Sequence, residues 1–305
     1  RALRYKGDIY HLHNPDTIIV GLILWCFRKK IIYDTHEDFT ERLRIRKWIP
    51  SFLRRPLIYM VRVGEKIISS LSELSVATQA NVLSRLRGKR LLIGNLPLLS
   101  TEQTALVERI AESTSVQEAA SGLNLRAVYI GSINSSRGLF EMLDALQEVN
   151  QSFSVRLWLA GQADANDLRE ALTHPGWQYV DYLDVLPQSE AFAYVKLADV
   201  GLIVLRNEGG HDKTDPNKIY EYMRFGTPFI ASNFSKWEKE LGSTDAGFFI
   251  TPSGNALTKC LIYCCENRDS IKDFGNRGSS FIYSNNWDKA FRALEAEYKR
   301  ILNDE

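Results

Sequence analysis

The stretch from Asp215 to Ser232, DPNKIYEYMRFGTPFIAS, gathers residues able to hold a charged, hydroxylated ligand. A polar turn opens a short helix, Gly226 closes it and Pro228 begins a strand. Open α/β sheets bind ligands at the carboxyl ends of their strands. Glu221, read in the first turn of this helix, is thereby placed to accept hydrogen bonds from a ribose diol. The helix start favours an anionic group. The plainer alternative is that Glu221 only stabilises the helix start and that Lys218 is a solvated charge.

A second stretch, YIGSINSSRG from Tyr129 to Gly138, is a strand followed by glycine, a Ser/Asn-rich loop and Arg137-Gly138 at a helix start. Gly131 lets the backbone approach a ligand closely, loop amides can point at phosphate oxygens, and Arg137 offers a two-pronged guanidinium to a diphosphate. Taken alone, this layout is also that of an ordinary strand-to-helix turn.

Short apolar runs alternate with longer helical patterns from end to end, as in parallel sheets joined by helices. The class is α/β. In the first third the strands are predicted at 8–12, 31–35, 74–78 and 91–95, with a helix over 55–71. Four strands are few for a doubly wound domain. The segment 100–122 reads as a helix and a connection, and a fresh unit begins at Arg126 with strands at 127–130, 155–160, 178–182, 200–205, 228–231 and 248–250. Six strands suffice for a Rossmann-like sheet. The last helix carries Trp287, Phe291, Leu294, Tyr298 and Ile301 at the spacing of an apolar stripe that must pack on something.

These two stretches, in this order, resemble the family 4 retaining glycosyltransferases, which carry two Rossmann-like domains (the GT-B fold). Gly131, Arg137 and Gly138 match the family's diphosphate loop, with Arg137 standing where lysine is usual. Glu221, Met223, Gly226, Pro228 and Ser232 match its ribose-binding helix. HLHNPDT at 11–17 and IIYDTHEDF at 31–39 look like its paired histidine segments. The resemblance implies a partial N-terminal, acceptor-side domain over 1–115 and a nucleotide-sugar domain over 116–285. A terminal helix over 286–305 would cross back to the first domain, and a cleft would lie between the domains. The family's first strand and glycine-rich loop would precede Arg1, so the N-terminal domain is expected to be incomplete.

The same resemblance implies the chemistry. The donor would be a nucleoside diphosphate sugar held by Gly131, Ser132, Arg137, Gly138, Tyr182, Leu183, Asp215, Asn217, Lys218 and Glu221. His36, Arg137 and Lys218 are the catalytic candidates. His36 would face the donor sugar across the cleft, where an imidazole at a strand end can bond a hydroxyl or steady developing charge. His13 and Glu37 would lie on the acceptor side, and the acceptor would be a glycan or a lipid-linked hydroxyl. Asn95 and Pro97, Gly161 and the loop 182–186 are less specific matches. Ser132 replaces a family arginine, which leaves Lys218 to neutralise the diphosphate. Lys213 replaces a second glutamate, for which Glu208, Asp212 or Asp215 would substitute.

Transfer would retain anomeric configuration and would need neither metal nor cofactor, the diphosphate charge being met by Arg137, Lys218 and two helix starts. The leaving phosphate oxygen would take the acceptor proton. A non-catalytic nucleotide-sugar-binding or assembly subunit and an epimerase of the same architecture are the competing classes.

A formal net charge of +1 argues against nucleic acid as a partner. One local basic cluster exists: Arg42, Arg44, Arg46, Lys47, Arg54 and Arg55, interleaved with Trp48, Ile49, Phe52 and Leu53. It could dock residues 41–55 on an anionic membrane surface, or form a solvated helix face. Cys26, Cys260, Cys264 and Cys265 lack metal-site spacing and read as reduced thiols of a cytoplasmic protein, peripheral at most to the membrane. The apolar run 17–27 is too short to cross a bilayer, which needs about 20 residues.

Overall fold

Parallel strands joined by helices build both halves of the chain in the computed structural model. It describes residues 4, 6–36, 38–46, 48–94, 96–98, 100–113, 117, 122–208, 210–214 and 217–303. The chain divides into two units, residues 1–96 with 287–305, and residues 97–286. Each is a parallel sheet with apolar residues on both faces, as crossover helices require.

In the first unit, β1 (Ile9–His13), β2 (Lys30–Thr35), β3 (Leu74–Ala77) and β4 (Arg90–Leu92) pair in sequence order. Connecting them are α1 (Ile18–Cys26), α2 (Phe39–Ile45), α3 (Ser51–Leu71) and α4 (Ala80–Leu83). Side chains alternate along a strand. Tyr33 and Ala77 therefore pack with Ile18 of α1 and Ile68 of α3, while Ile32, Leu74 and Val76 pack beneath the C-terminal helix Trp287–Asn303. That helix buries Leu294 and Ile301 of its stripe, but Phe291 stays 42% exposed and stacks on Trp287.

The second unit opens with α5 (Thr101–Ala111) and continues through β5 (Leu125–Ile130), α6 (Leu139–Val149), β6 (Val155–Ala160), α7 (Ala165–Ala171), β7 (Val180–Tyr182), α8 (Gln188–Leu197), β8 (Val200–Ile203), α9 (Asn217–Arg224), β9 (Phe229–Ser232), α10 (Ser235–Leu241), β10 (Gly247–Ile250), α11 (Gly254–Glu266) and α12 (Arg268–Ser284). The sheet order is β10-β9-β8-β5-β6-β7, so the chain reverses direction of travel between β5 and β8. Such a switch point leaves a crevice at the carboxyl ends of the two central strands.

The division between units lies earlier than the sequence reading set it. Val107 and Ala111 of α5 are buried against Phe192 and Ala193 of α8, and the Arg224 guanidinium donates to Gln103 (2.9 Å) and Thr104 (3.2 Å). These contacts bind residues from 97 onward to the second unit. Four strands, β3, β4, β7 and β8, are shorter than expected, and for the last two a local cause is visible. Pro175 and Gly176 begin a 3-10 turn that takes up residues as far as Tyr179, and Gly176 presses on the Leu143 backbone. At Val204 the chain leaves the ladder, although Val204 and Leu205 remain buried. Cys260 and Cys264 are buried in α11 and Cys26 is exposed. No described helix is long and apolar enough to cross a membrane.

Candidate functional site

Gly131, directly after β5, sits under the side chain of Lys218. A methyl group there would come within 2.6 Å of Lys218 Cε and 3.5 Å of Nζ. The loop after β5 and the helix after β8, about eighty residues apart in sequence, therefore meet at the switch point. Lys218 Nζ lies 3.4 Å from a carboxylate oxygen of Glu221, both residues being about three-tenths exposed. Glu221 is the fifth residue of α9 rather than part of its first turn. Its part in the site comes from projecting beside Lys218, not from capping the helix.

Three glycines make this convergence possible. Gly138 adopts φ 79°, and a Cβ there would strike the Val204 carbonyl just past the end of β8. Gly161, after β6, adopts φ 136°, and a Cβ would fall on the Gly131 carbonyl. Only glycine tolerates both the backbone angle and the contact. Gly161 N donates to the Asp184 carbonyl (2.8 Å) and Leu183 N to the Leu159 carbonyl (2.9 Å), so the loop holding Tyr182 and Leu183 joins the same rim. The Tyr182 hydroxyl reaches Asp184 Oδ1 at 3.4 Å.

The expected phosphate cradle is altered in one respect. The amides of Gly131, Ile133, Ser135, Arg137 and Gly138 all donate within the protein: to Ala160, Gln162, Asp167, Asn134 and Ser135 respectively. Asn134 caps the turn Ser135–Arg137 with its side chain, so these loop donors are spent on shaping the loop. Arg137 lies beside Tyr129, whose hydroxyl donates to the Ser132 carbonyl (2.7 Å). Burial pushes the Tyr129 phenol up to about 12, with the Arg137 charge opposing the shift. Ser132 is exposed and Asn217 is exposed at the start of α9. Asp215 lies outside the described residues, as do Glu37, Asn95 and Lys47.

Sequence reasoning did not single out Arg206 or Glu141. Arg206 Nε donates to the buried Glu141 carboxylate at 2.6 Å, and Arg206 N donates to the Ser136 carbonyl at 3.0 Å, tying the exit of β8 to the loop after β5. Their separation of 65 residues hides the pairing from any local motif.

In the first unit His13 and His36 come together at the ends of β1 and β2. His13 Nδ1 is 3.1 Å from His36 Nε2, with stacked rings 5.2 Å apart. Asp34, only 6% exposed, lies beneath them. Burial and the neighbouring His11 lower the His13 pKa, against the attraction of Asp34. Asp38 does a different job from the histidines: it caps α2 through the amides of Thr40 and Glu41 and takes a two-pronged pair from Arg85 at 2.7 and 3.0 Å. Burial would raise its pKa, but the Arg85 and Thr40 hydrogen bonds outweigh that and hold it at about 2.

Residues 124–267 match the family described as glycosyl transferases group 1. The match covers less than half of the chain and lies wholly within the second unit. All six strands of the second unit, with the loops between them, fall inside the matched residues. Among curated proteins none matches the chain in sequence.

Solved structures agree in fold. The Anabaena HepE protein, solved in complex with UDP, superposes with a TM-score of 0.73 at 13% identity, over 98% of this chain and 80% of that one. Sucrose-phosphate synthase from Thermosynechococcus elongatus gives 0.64 at 16% identity, over 100% and 76%. A UDP-forming α,α-trehalose-phosphate synthase from Burkholderia xenovorans, in complex with glucose-6-phosphate, gives 0.67 at 13% identity, over 99% and 74%. The chain shares with them two parallel-sheet α/β units, the GT-B architecture.

Proposed function

We propose that this chain is a glycosyltransferase that takes its sugar from a nucleoside diphosphate donor held at the switch point of the second unit, and passes it to a hydroxyl acceptor with retention. The observation that carries the reading is Lys218 lying over Gly131, with Glu221 at 3.4 Å from its ammonium. A cation and a carboxylate at one strand end suit the two parts of a nucleotide. Arg137 and Lys218 would take the diphosphate, Glu221 the ribose diol, and the Tyr182–Leu183 loop the base.

Lys218 is available for this role on energetic grounds. A partly exposed i,i+3 pair is worth about 0.2–0.5 kcal/mol, whereas a hydrogen bond to a charged group contributes about 1.5–3 kcal/mol. A diphosphate therefore draws the ammonium from Glu221 and frees that carboxylate for the ribose. As the glycosidic bond to phosphate breaks, Arg137 and Lys218 stabilise the charge gathering on the leaving oxygen. That oxygen then takes the acceptor proton, so no protein base and no metal are assigned. His36 is given the reacting sugar, and His13 and Glu37 the acceptor. The HepE protein was solved with UDP and the trehalose-phosphate synthase is described as UDP-forming, which makes UDP the first nucleotide to try.

The test is calorimetric titration with UDP, GDP and ADP and their sugar conjugates, without added metal. Saturable binding of one nucleotide, weakened by Arg137→Ala and by Glu221→Ala, is the expected result. No binding by any of them would remove the donor assignment, and unchanged affinity in Glu221→Ala would remove the ribose role.

A lipid-linked acceptor at the membrane face is the second half of the proposal. Trp48 and Phe52 are 73% and 75% exposed, and Arg44, Arg54 and Arg55 line the same depression as Phe52 and Tyr59. Ile49, by contrast, is buried and takes no part. Such aromatic and basic surface favours anionic headgroups. Co-sedimentation with phosphatidylglycerol vesicles should fall on raising salt, and equal sedimentation with neutral vesicles would dispose of the docking.

A further inference from the structure

The motif His11-x-His13 on β1 puts two imidazoles on one face of the sheet, because alternate residues of a strand point the same way. Asp34 is the register partner of His13 on β2 and shares that face. His11 Nε2 lies 3.2 Å from Asp34 Oδ2, and His13 Nδ1 lies 3.3 Å from the same oxygen. All three ligand atoms fall within 4.8 Å of one another. A tetrahedral zinc ion with bonds of about 2.0–2.1 Å sets its ligand atoms about 3.3 Å apart. The two measured spacings have that value.

We infer that the first unit binds a divalent transition metal of the zinc class through His11 Nε2, His13 Nδ1 and a carboxylate oxygen of Asp34. Two further features support three ligands rather than a plain hydrogen-bond network. The Tyr298 hydroxyl of the C-terminal helix sits against His11 Nδ1, occupying the ring nitrogen that would not face the metal and fixing the orientation of the other. The Asp34 carboxylate is buried at 6% exposure, and its Oδ1 has no hydrogen-bond partner. A buried, half-unsatisfied carboxylate facing imidazoles gains most from a cation. His36, with Nε2 at 3.1 Å from His13 Nδ1 and 3.6 Å from Asp34 Oδ2, borders the remaining coordination position, which a water would fill.

The inference is independent of the donor site, so its test uses no nucleotide. Protein stripped by dialysis against a chelator is titrated with cobalt(II), followed by its visible absorption, and then with zinc. The expected result is one cobalt per chain with the intense bands of a tetrahedral ion, displaced stoichiometrically by zinc. His13→Ala, on a half-exposed side chain that threatens the fold least, should weaken uptake about a hundredfold, and Tyr298→Phe about tenfold. Thermal unfolding of each variant without metal checks that it is folded. Absence of saturable cobalt uptake by the wild-type chain, or uptake of equal affinity in folded His13→Ala, would overturn the site.

Discussion

The two units hold their functional loops by different means. In the second, the loops after β5, β6 and β8 are brought together by backbone fit: Gly138 against the Val204 carbonyl and Gly161 against that of Gly131. In the first, the turn after β2 is held by charge: Asp38 gathers two amides, the Thr40 hydroxyl and Arg85. Backbone fit tolerates almost no side chain but is indifferent to pH. A carboxylate clamp tolerates its surroundings but fails when protonated. Each site is therefore fragile in its own way, the second to added side chains and the first to acid.

The largest effect is expected at the glycines. Gly138→Ala and Gly161→Ala add a left-handed backbone penalty of about 1–2 kcal/mol to an overpacking cost of about 1–3 kcal/mol. Urea unfolding should show a loss of several kcal/mol in each, together with loss of nucleotide binding. A loss below about 1 kcal/mol would mean that the loops adjust and that backbone fit is not what holds them.

Next come the cations that the glycines position. Lys218→Ala or Arg137→Ala should weaken nucleoside diphosphate binding roughly tenfold to a hundredfold, one charge-assisted hydrogen bond each. Binding of the corresponding nucleoside should be unchanged, which separates loss of charge from loss of fold.

The acid response is the matching test for the first unit. Asp38 titrates at about 2 in the fold against 3.8 ordinarily, so its stabilisation is complete above the ordinary value and is lost as pH falls through about 2. The difference corresponds to about 2 kcal/mol. Wild-type stability should therefore decline between about pH 4 and pH 2 more steeply than that of Asp38→Asn, with chemical unfolding at each pH as the readout. Parallel declines would show that the clamp is not charge-based.

The smallest effect is expected from Tyr129→Phe, which removes only the hydroxyl that donates to the Ser132 carbonyl beside Arg137. A net loss of about 1 kcal/mol in stability, with a severalfold weaker affinity for UDP, would show that Arg137 is held in place by Tyr129 rather than merely adjacent to it.

The alternation of strands and helices, and with it the α/β class, was legible in the order of residues alone, because burial on both sheet faces demands continuous β-branched and apolar runs. All ten predicted strands exist, with bounds moved by at most three residues, those of β7 by two where Pro175 begins a turn. Which loops could carry chemistry was legible there too, because a positive φ or a close backbone approach leaves only glycine as a choice. Residues 124–267 carry a family pattern for the same local reasons. What only the tertiary structure decided are the pairings across long separations: Gly131 with Lys218, Arg206 with Glu141, His11 with Tyr298, and α5 with α8. Likewise the sequence offered the loop amides as phosphate donors, and the fold spends several of them on its own carbonyls and side chains. Local spacing specifies a backbone and the face on which a side chain stands. Which distant face it meets depends on how the sheet is wound, and no run of adjacent residues encodes that.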